Sequence, residues 1–298
     1  MSKSSDSLAG QGLSLAFFLL LVTFFAELAG GLLSNSLSLL SDSFHVFSDV
    51  MALGVALLAF RAALKPATFE KSFGFHRFEV LAALFNGLLL MVVAVFIFFE
   101  AVNRFYHPLP VNVSQMFGVA VFGLLTNLFV VFKLRSHGNL NVHGAFLHAA
   151  GDALASVGVI LGAVIIHFTG LFIVDTILSV LIALIILFSA VHLVRSSLEI
   201  LLEATPRGVR LDSLVAEIRK AKGVHGVHDV HIWSICSEIS YLSAHIVLKK
   251  DAKISSTACI DADVCSRLGE KFGIRHATLK FETKDYCCGK EGVCDVCH

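Results

Sequence analysis

Two short stretches carry the residues best suited to chemistry. "SDSFHVFSDV" holds Asp42, His45 and Asp49, and "LHAAGDALAS" holds His148 and Asp152. His45 and Asp49 are four residues apart, as are His148 and Asp152. On a helix each pair therefore shares one face. Two such helices side by side would present two imidazoles and two carboxylates to one point. That set suits a tetrahedral Zn²⁺, whose N and O ligands sit at about 2.0–2.2 Å. Imidazole also suits Co and Ni better than Mg or Ca. Two carboxylates cancel the charge of a dication, which makes burial of the cluster tolerable. Local pairing within each helix is the competing account, and the repeat of the motif weakens it. Asp42 lies near the start of its helix and either favours the positive end of the helix dipole or stands at the mouth of an ion path.

The elements that must position these residues are apolar. Of 298 residues, 56% are hydrophobic and 15% charged, with a mean hydropathy of +0.80; soluble domains carry about 25% charged residues. Net charge is zero, so no global field favours nucleic acid or another acidic partner. Six stretches, 13–33, 38–60, 78–103, 113–132, 145–169 and 172–194, approach the ~20 apolar residues that a spanning helix needs. The first has no small-residue cleavage site and reads as a spanning helix rather than a removable signal. Both H-x-x-x-D motifs fall inside these spans, where ionisable groups are costly and functional. Six crossings put both termini on one side. Arg61, Lys65, Lys71, Arg77, Lys133, Arg135 and Arg195 crowd that side and Arg104 alone lies opposite, so both termini are expected in the cytosol.

After Pro206 the pattern changes. Fourteen of the 23 Lys/Arg and all seven Cys lie there. Leu211, Leu214, Val215 and Ile218 repeat with helical spacing, as do Ile260, Val264 and Leu268. "HDVHIWSI" and "YLSAHIVL" predict strands joined by a turn at 237–240, and "RHATLKFE" alternates with His276, Thr278, Lys280 and Glu282 on one face. The order α-β-β-α-β predicts a ferredoxin-like α+β domain with helices over one sheet face. The expected organisation is a six-helix all-α transmembrane domain (1–204), a cytosolic α+β domain (205–282) and a Cys-rich tail (283–298). In the tail Cys294 and Cys297 have metal-ligand spacing, and a cytosolic tail stays reduced. Cys236, Cys259 and Cys265 read as small packing residues.

The sequence resembles zinc-transporting members of the cation diffusion facilitator family over nearly its whole length. The resemblance rests on the paired H-x-x-x-D motifs, "KSFGFHRFEVLAAL", "HGNLNVHGAFLHAAGD" and "VHDVHIWSI". It implies a homodimer, held together by the soluble domain, that exports divalent metal from the cytosol across a plasma or inner membrane in exchange for protons. His45, Asp49, His148 and Asp152 match the family's transport site. His228, His245 and Glu282 match its cytosolic metal cluster, with His231, His276, Cys294 and Cys297 as possible additions. Zn²⁺ is then substrate and also a structural or regulatory ion, and no cofactor is implied. Some members bind a second ion in the loop before the third helix; Thr68, Lys71 and Phe75 replace its ligands here, although His76 is close by. Arg77 and Glu203 fall where the family places ion pairs near the dimer seam. The same machine carrying Cd²⁺, Co²⁺, Ni²⁺ or Mn²⁺ is the nearest alternative. An intramembrane hydrolase would need an open coordination position and a general base, which four protein ligands do not leave. A metal sensor with anchoring helices has no use for two buried motifs.

Overall fold

The computed structural model describes the backbone of residues 3–63, 68–134 and 140–283, and the side chains of residues 17–55, 68–129, 132 and 151–283. Six long helices come first: α1 (Lys3–Ser34), α2 (Leu37–Ala63), α3 (Arg77–Tyr106), α4 (Val113–Leu134), α5 (Leu140–Thr169) and α6 (Ile173–Leu201). They outrun the predicted spans, chiefly at their polar ends, because hydropathy measures the apolar core and not the hydrogen-bonded ladder. Among the described residues four windows are long and apolar enough to cross a membrane: 17–34, Arg77–Tyr106, 151–169 and Ile173–Leu201. The described part of α2 carries Asp42, His45 and Asp49, which cost it hydropathy. Phe85, Phe96, Phe99, Phe188 and Leu184 point outward and exposed, as lipid-facing side chains must.

The chain divides into two units. One comprises Met1–Leu64 and Ala82–Val194; the other comprises Lys65–Leu81 and Arg195–His298. In the first, α1 packs on α2 and α4, and α4 on α5. Small residues and β-branched chains fill the interior: Ala94, Ala120, Ala163, Ala190, Val159, Ile166 and Ile186 are almost fully buried. Small side chains let helix backbones approach where lipid supplies no hydrophobic drive between helices.

The second unit holds α7 (Leu211–Ile218), β1 (Val224–Ser234), β2 (Ser240–Leu248), α8 (Ile254–Phe272) and β3 (His276–Glu282). The sheet order is β1-β2-β3, with β1 antiparallel to β2 and β2 parallel to β3. A parallel pair cannot be joined by a tight turn, and α8 supplies the crossover. Gly273, in the left-handed region at φ 70°, ends α8 and lets Ile274 N–H reach back to Leu268 O. Leu214, Ile218, Val264, Leu268, Leu242, Ile246 and Ile274 form the core between helices and sheet. Glu217 ties α7 to α8 through Lys271 at 2.6 Å and Arg267 at 3.2 Å.

The loop before α3 belongs to this second unit. Thr68 and Lys71 close a turn by exchanging backbone bonds, and the Lys71 ammonium stands over the Phe75 and Phe78 rings at 4.2 and 5.3 Å. A fixed cation there opposes a metal ion. Phe73 packs edge-on against Tyr241, and Ser237 Oγ donates to Glu79 at 2.6 Å. Arg77 donates to Glu203 at 3.0 Å. Cys236 is buried, as expected of a packing residue, whereas Cys259 is exposed and Cys265 half-buried. The position of Cys259 on the outer side of α8 overrides the apolar reading of its side chain.

Candidate metal centres

Residues Leu37 onward form α2 because Ser36 and Ser38 supply an N-terminal hydroxyl pair and no Pro or Gly interrupts the run to Leu53. Its helical repeat puts His45 and Asp49 on one face, and α5 brings Asp152 against them. His45 Nε2 donates to Asp152 Oδ1 at 3.1 Å. Donor atoms of His45, Asp49 and Asp152 all lie within 4.8 Å of one another. Tetrahedral ligands at 2.0–2.2 Å from an ion stand about 3.3–3.6 Å apart, so a small contraction would close this set on Zn²⁺. Asp152 is buried and the other two half-buried. His148 lies on α5 one turn before Asp152; its side chain is outside the described residues.

Polar contacts between helices frame this cluster. Asn86 of α3 donates to Ser48 of α2 at 3.3 Å, and Asn127 of α4 donates to Ser156 of α5 at 3.5 Å. Ser156 in turn donates to the Asp152 carbonyl. Hydrogen bonds of this kind fix helix rotation in a bilayer.

Two carboxylates in this region escaped the sequence reading. Glu27, in "FFAELAGG" of α1, is 1% exposed, and its Oε2 has no hydrogen-bond partner among the described residues. Asp175, in the first turn of α6, is equally buried and accepts from Ser36 Oγ, Leu37 N–H, Ser38 N–H and Ser38 Oγ at 2.5–3.3 Å. Arg104, which donates to Glu100 and to the Asn35 carbonyl, stands 3.9 Å from it. Asp175 thus caps α2 from another helix. Asp42, five residues into α2 and buried, is too far along to serve the dipole end suggested for it. Each carboxylate was visible as an acid inside an apolar run, which is itself a functional signal.

The cytosolic cluster is built on strands. His228 pairs across the sheet with His245, and β3 brings Glu282 beside Val247. Parity alone would put His228 and His231 on opposite faces of β1. A β-bulge between them, with Asp229 at φ 51°, returns both to one face. His228 Nε2 donates to Glu282 Oε2 at 3.0 Å, and His245 Nδ1 lies 3.2 Å from Glu282 Oε1. The donor atoms of these three residues also lie within 4.8 Å of one another. Burial pushes the Glu282 carboxyl up, but Lys280, His228 and His245 outweigh it and hold the group below the usual carboxylate range. It is therefore ionised at neutral pH and suited to a cation.

The additional candidates fare differently. His231 is turned to Asp229 at 3.1 Å, and the other oxygen of Asp229 lies 3.3 Å from His245; His231 adjoins the cluster through that carboxylate. His276 stacks on Tyr241, 4.6 Å between ring centres. It sits six residues before Glu282 on β3, a separation of about 20 Å along a strand, so it is not brought to the cluster. It was a possible addition to the matched cluster, and distance along the strand removes it. Cys294 and Cys297 lie outside the described residues.

Comparisons with known proteins cover both units. Residues 13–202 match the cation efflux transmembrane domain, and residues 206–284 match the cytoplasmic domain of cation efflux proteins. The "Cadmium, cobalt and zinc/H(+)-K(+) antiporter" of Bacillus velezensis is 38% identical over 275 residues, 91% of this chain and 88% of that protein. The "Cation efflux system protein CzcD" of an Alcaligenes strain is 41% identical, covering 94% of this chain and 89% of its own. The zinc transporter ZitB of Escherichia coli is 37% identical, covering 86% and 82%. These relatives are transporters and not enzymes, which removes the hydrolase reading. Apolar helices around a partly buried donor cluster, followed by a sheet domain of matching sequence, make this chain a member of the cation diffusion facilitator family, a multi-pass membrane protein for metal cation efflux.

Proposed function

We propose that the chain exports Zn²⁺ from the cytosol in exchange for protons, by alternating access through His45, Asp49, His148 and Asp152. The observation that carries this reading is the convergence of His45, Asp49 and Asp152 inside an apolar bundle. The hydrogen bond from His45 Nε2 to Asp152 requires a hydrogen on that nitrogen. A metal ion arriving there needs that nitrogen's lone pair, so the hydrogen must leave Nε2: it moves to Nδ1 in a neutral ring, and an imidazolium also gives up a proton to solvent. When the bundle opens to the other side, protons return to the imidazole and carboxylate, and the metal leaves. An unperturbed imidazole titrates near pH 6.5, which places such an exchange within reach of physiological gradients.

The two-imidazole content of the site favours Zn²⁺ over harder ions. The relatives' names include cadmium, cobalt and zinc, so Cd²⁺ and Co²⁺ are the competitors to test first. Both termini lie in the cytosol on this reading, which puts the α1–α2 turn on the outer face. The protein works as a homodimer joined through its cytosolic domain. His228, His245 and Glu282 offer two imidazoles and an ionised carboxylate with converging donor atoms, and would hold a resident Zn²⁺ that stiffens the sheet.

The test is Zn²⁺ uptake into proteoliposomes with and without an imposed pH gradient. Acidifying the side opposite the metal should drive accumulation, and an ionophore that collapses the gradient should slow it. Uptake that follows membrane potential alone at constant pH would refute proton exchange.

A further inference from the structure

One rung of the cytosolic sheet carries more than two imidazoles. His228 of β1 stands opposite His245 of β2, and His245 stands opposite Lys280 of β3. Residues directly opposite on neighbouring strands present their side chains to one face. The rung therefore reads imidazole, imidazole, ammonium. Glu282, two residues further along β3, shares that face. Its Oε1 accepts from the Lys280 ammonium at 2.8 Å and lies 3.2 Å from His245 Nδ1. Its Oε2 accepts from His228 Nε2 at 3.0 Å.

The ammonium thus stands on a carboxylate that the metal ion needs. Zn²⁺ held by Glu282 at about 2.0–2.2 Å would lie roughly 4–5 Å from Lys280 Nζ in this position. A charged lysine has donors and no acceptor, so it cannot be a ligand and repels the ion instead. The carboxylate has two arrangements. With the cluster empty, Lys280 and His228 satisfy Glu282, whose side chain is only 7% exposed. With the ion bound, the carboxylate turns to the metal and the ammonium withdraws. The Lys280 side chain is 63% exposed on a flexible stem, so it has water to withdraw into. A buried lysine would block the site, whereas an exposed one competes for it. We infer that Lys280 is a tethered competitor for the cytosolic metal, holding Glu282 while the cluster is empty and setting the Zn²⁺ concentration at which it fills. This rests on the reading of His228, His245 and Glu282 as a metal cluster. The sheet then stiffens only when cytosolic Zn²⁺ has risen far enough to displace a cation that is always at hand.

The experiment is calorimetric titration of the full-length protein with Zn²⁺, in an Asp152→Ala background that removes the membrane cluster. Lys280→Met removes the charge and keeps most of the stem. It should tighten binding about tenfold, the size expected of a unit charge near a dication in a largely aqueous setting. Lys280→Arg, which keeps the charge, should not tighten it. The rise in melting temperature on adding Zn²⁺ should be larger with Lys280→Met than in the parent background. Binding within about twofold of the parent in Lys280→Met overturns the competitor. So does weaker binding, which would mean that the ammonium orients Glu282 for the metal. Equal tightening by Lys280→Arg also overturns it, because charge would not be the cause. His228→Ala in the same background separates the two readings: unchanged Zn²⁺ stoichiometry there would sink the cluster itself, whatever Lys280→Met does.

Discussion

The two donor clusters use the same side chains on different scaffolds. In the membrane unit, α2 presents His45 and Asp49 and α5 presents Asp152. In the cytosolic unit, His228, His245 and Glu282 come one each from three strands. Helices hold donors as pairs, and a tilt between two helices opens the set without breaking a backbone hydrogen bond. Strands hold donors singly across a hydrogen-bonded ladder, and opening that set means tearing the sheet. The first scaffold suits an ion that must leave, the second an ion that stays.

That contrast is broken most directly at the membrane cluster. Asp152→Ala should reduce Zn²⁺ flux at least a hundredfold in proteoliposomes at matched protein levels, since a dication would lose a ligand and half its charge compensation in an apolar setting. Near-normal flux would place the moving ion elsewhere. At the cytosolic cluster, Glu282→Gln should abolish Zn²⁺ binding there by calorimetry, yet lower flux only a few-fold. A loss of flux as deep as that of Asp152→Ala would mean that the second cluster lies on the transport path.

Two further changes act on the cytosolic scaffold and not on its donors. Lys271, Lys220 and Arg267 hold the Glu217 carboxyl down to about 2 against a usual 4.5, with burial opposing them. A group with a depressed folded-state pKa contributes stability that is complete above its ordinary value and fades as pH falls toward the folded one. Glu217→Gln should therefore lower the melting temperature of the domain near pH 7 and narrow the gap to wild type by pH 3. Zn²⁺ stoichiometry at neutral pH should not change. A constant gap from pH 7 to 3 would show that the ion pairs add nothing. The smallest effect belongs to Arg77 and Glu203, whose side chains are 45% and 61% exposed. Arg77→Ala should change thermal stability by less than about 1 kcal/mol, and a larger loss would mean that solvent does not screen the pair.

The membrane cluster was legible because spacing within one helix is a statement about sequence alone. His45 and Asp49 sit four apart, and no tertiary information is needed to put them on one face. Pairing α2 with α5 took only the repeat of the motif. The cytosolic cluster was legible only through resemblance. The Asp229 bulge that turns His228 and His231 to one face has no signature in alternating hydropathy, and His276 shares the face of Glu282 on β3 without sharing its place along the strand. Glu27 and Asp175 were missed for another reason. A lone acid in an apolar run belongs to no spacing pattern, and its partners lie on other helices, up to 139 positions away in the case of Asp175 and Ser36.

The Asp175 cap gives α2 a fulcrum. One carboxylate of α6 grips the first residues of α2, so a tilt of α2 that preserves those bonds has its still point at Leu37. Displacement then grows along the lever. For a tilt of about 10°, Asp49, roughly 18 Å from the grip, sweeps about 3 Å, and the far end at Ala63, roughly 39 Å away, sweeps about 7 Å. A pivot at this end magnifies movement on the opposite side of the bundle and leaves the α1–α2 turn almost where it was.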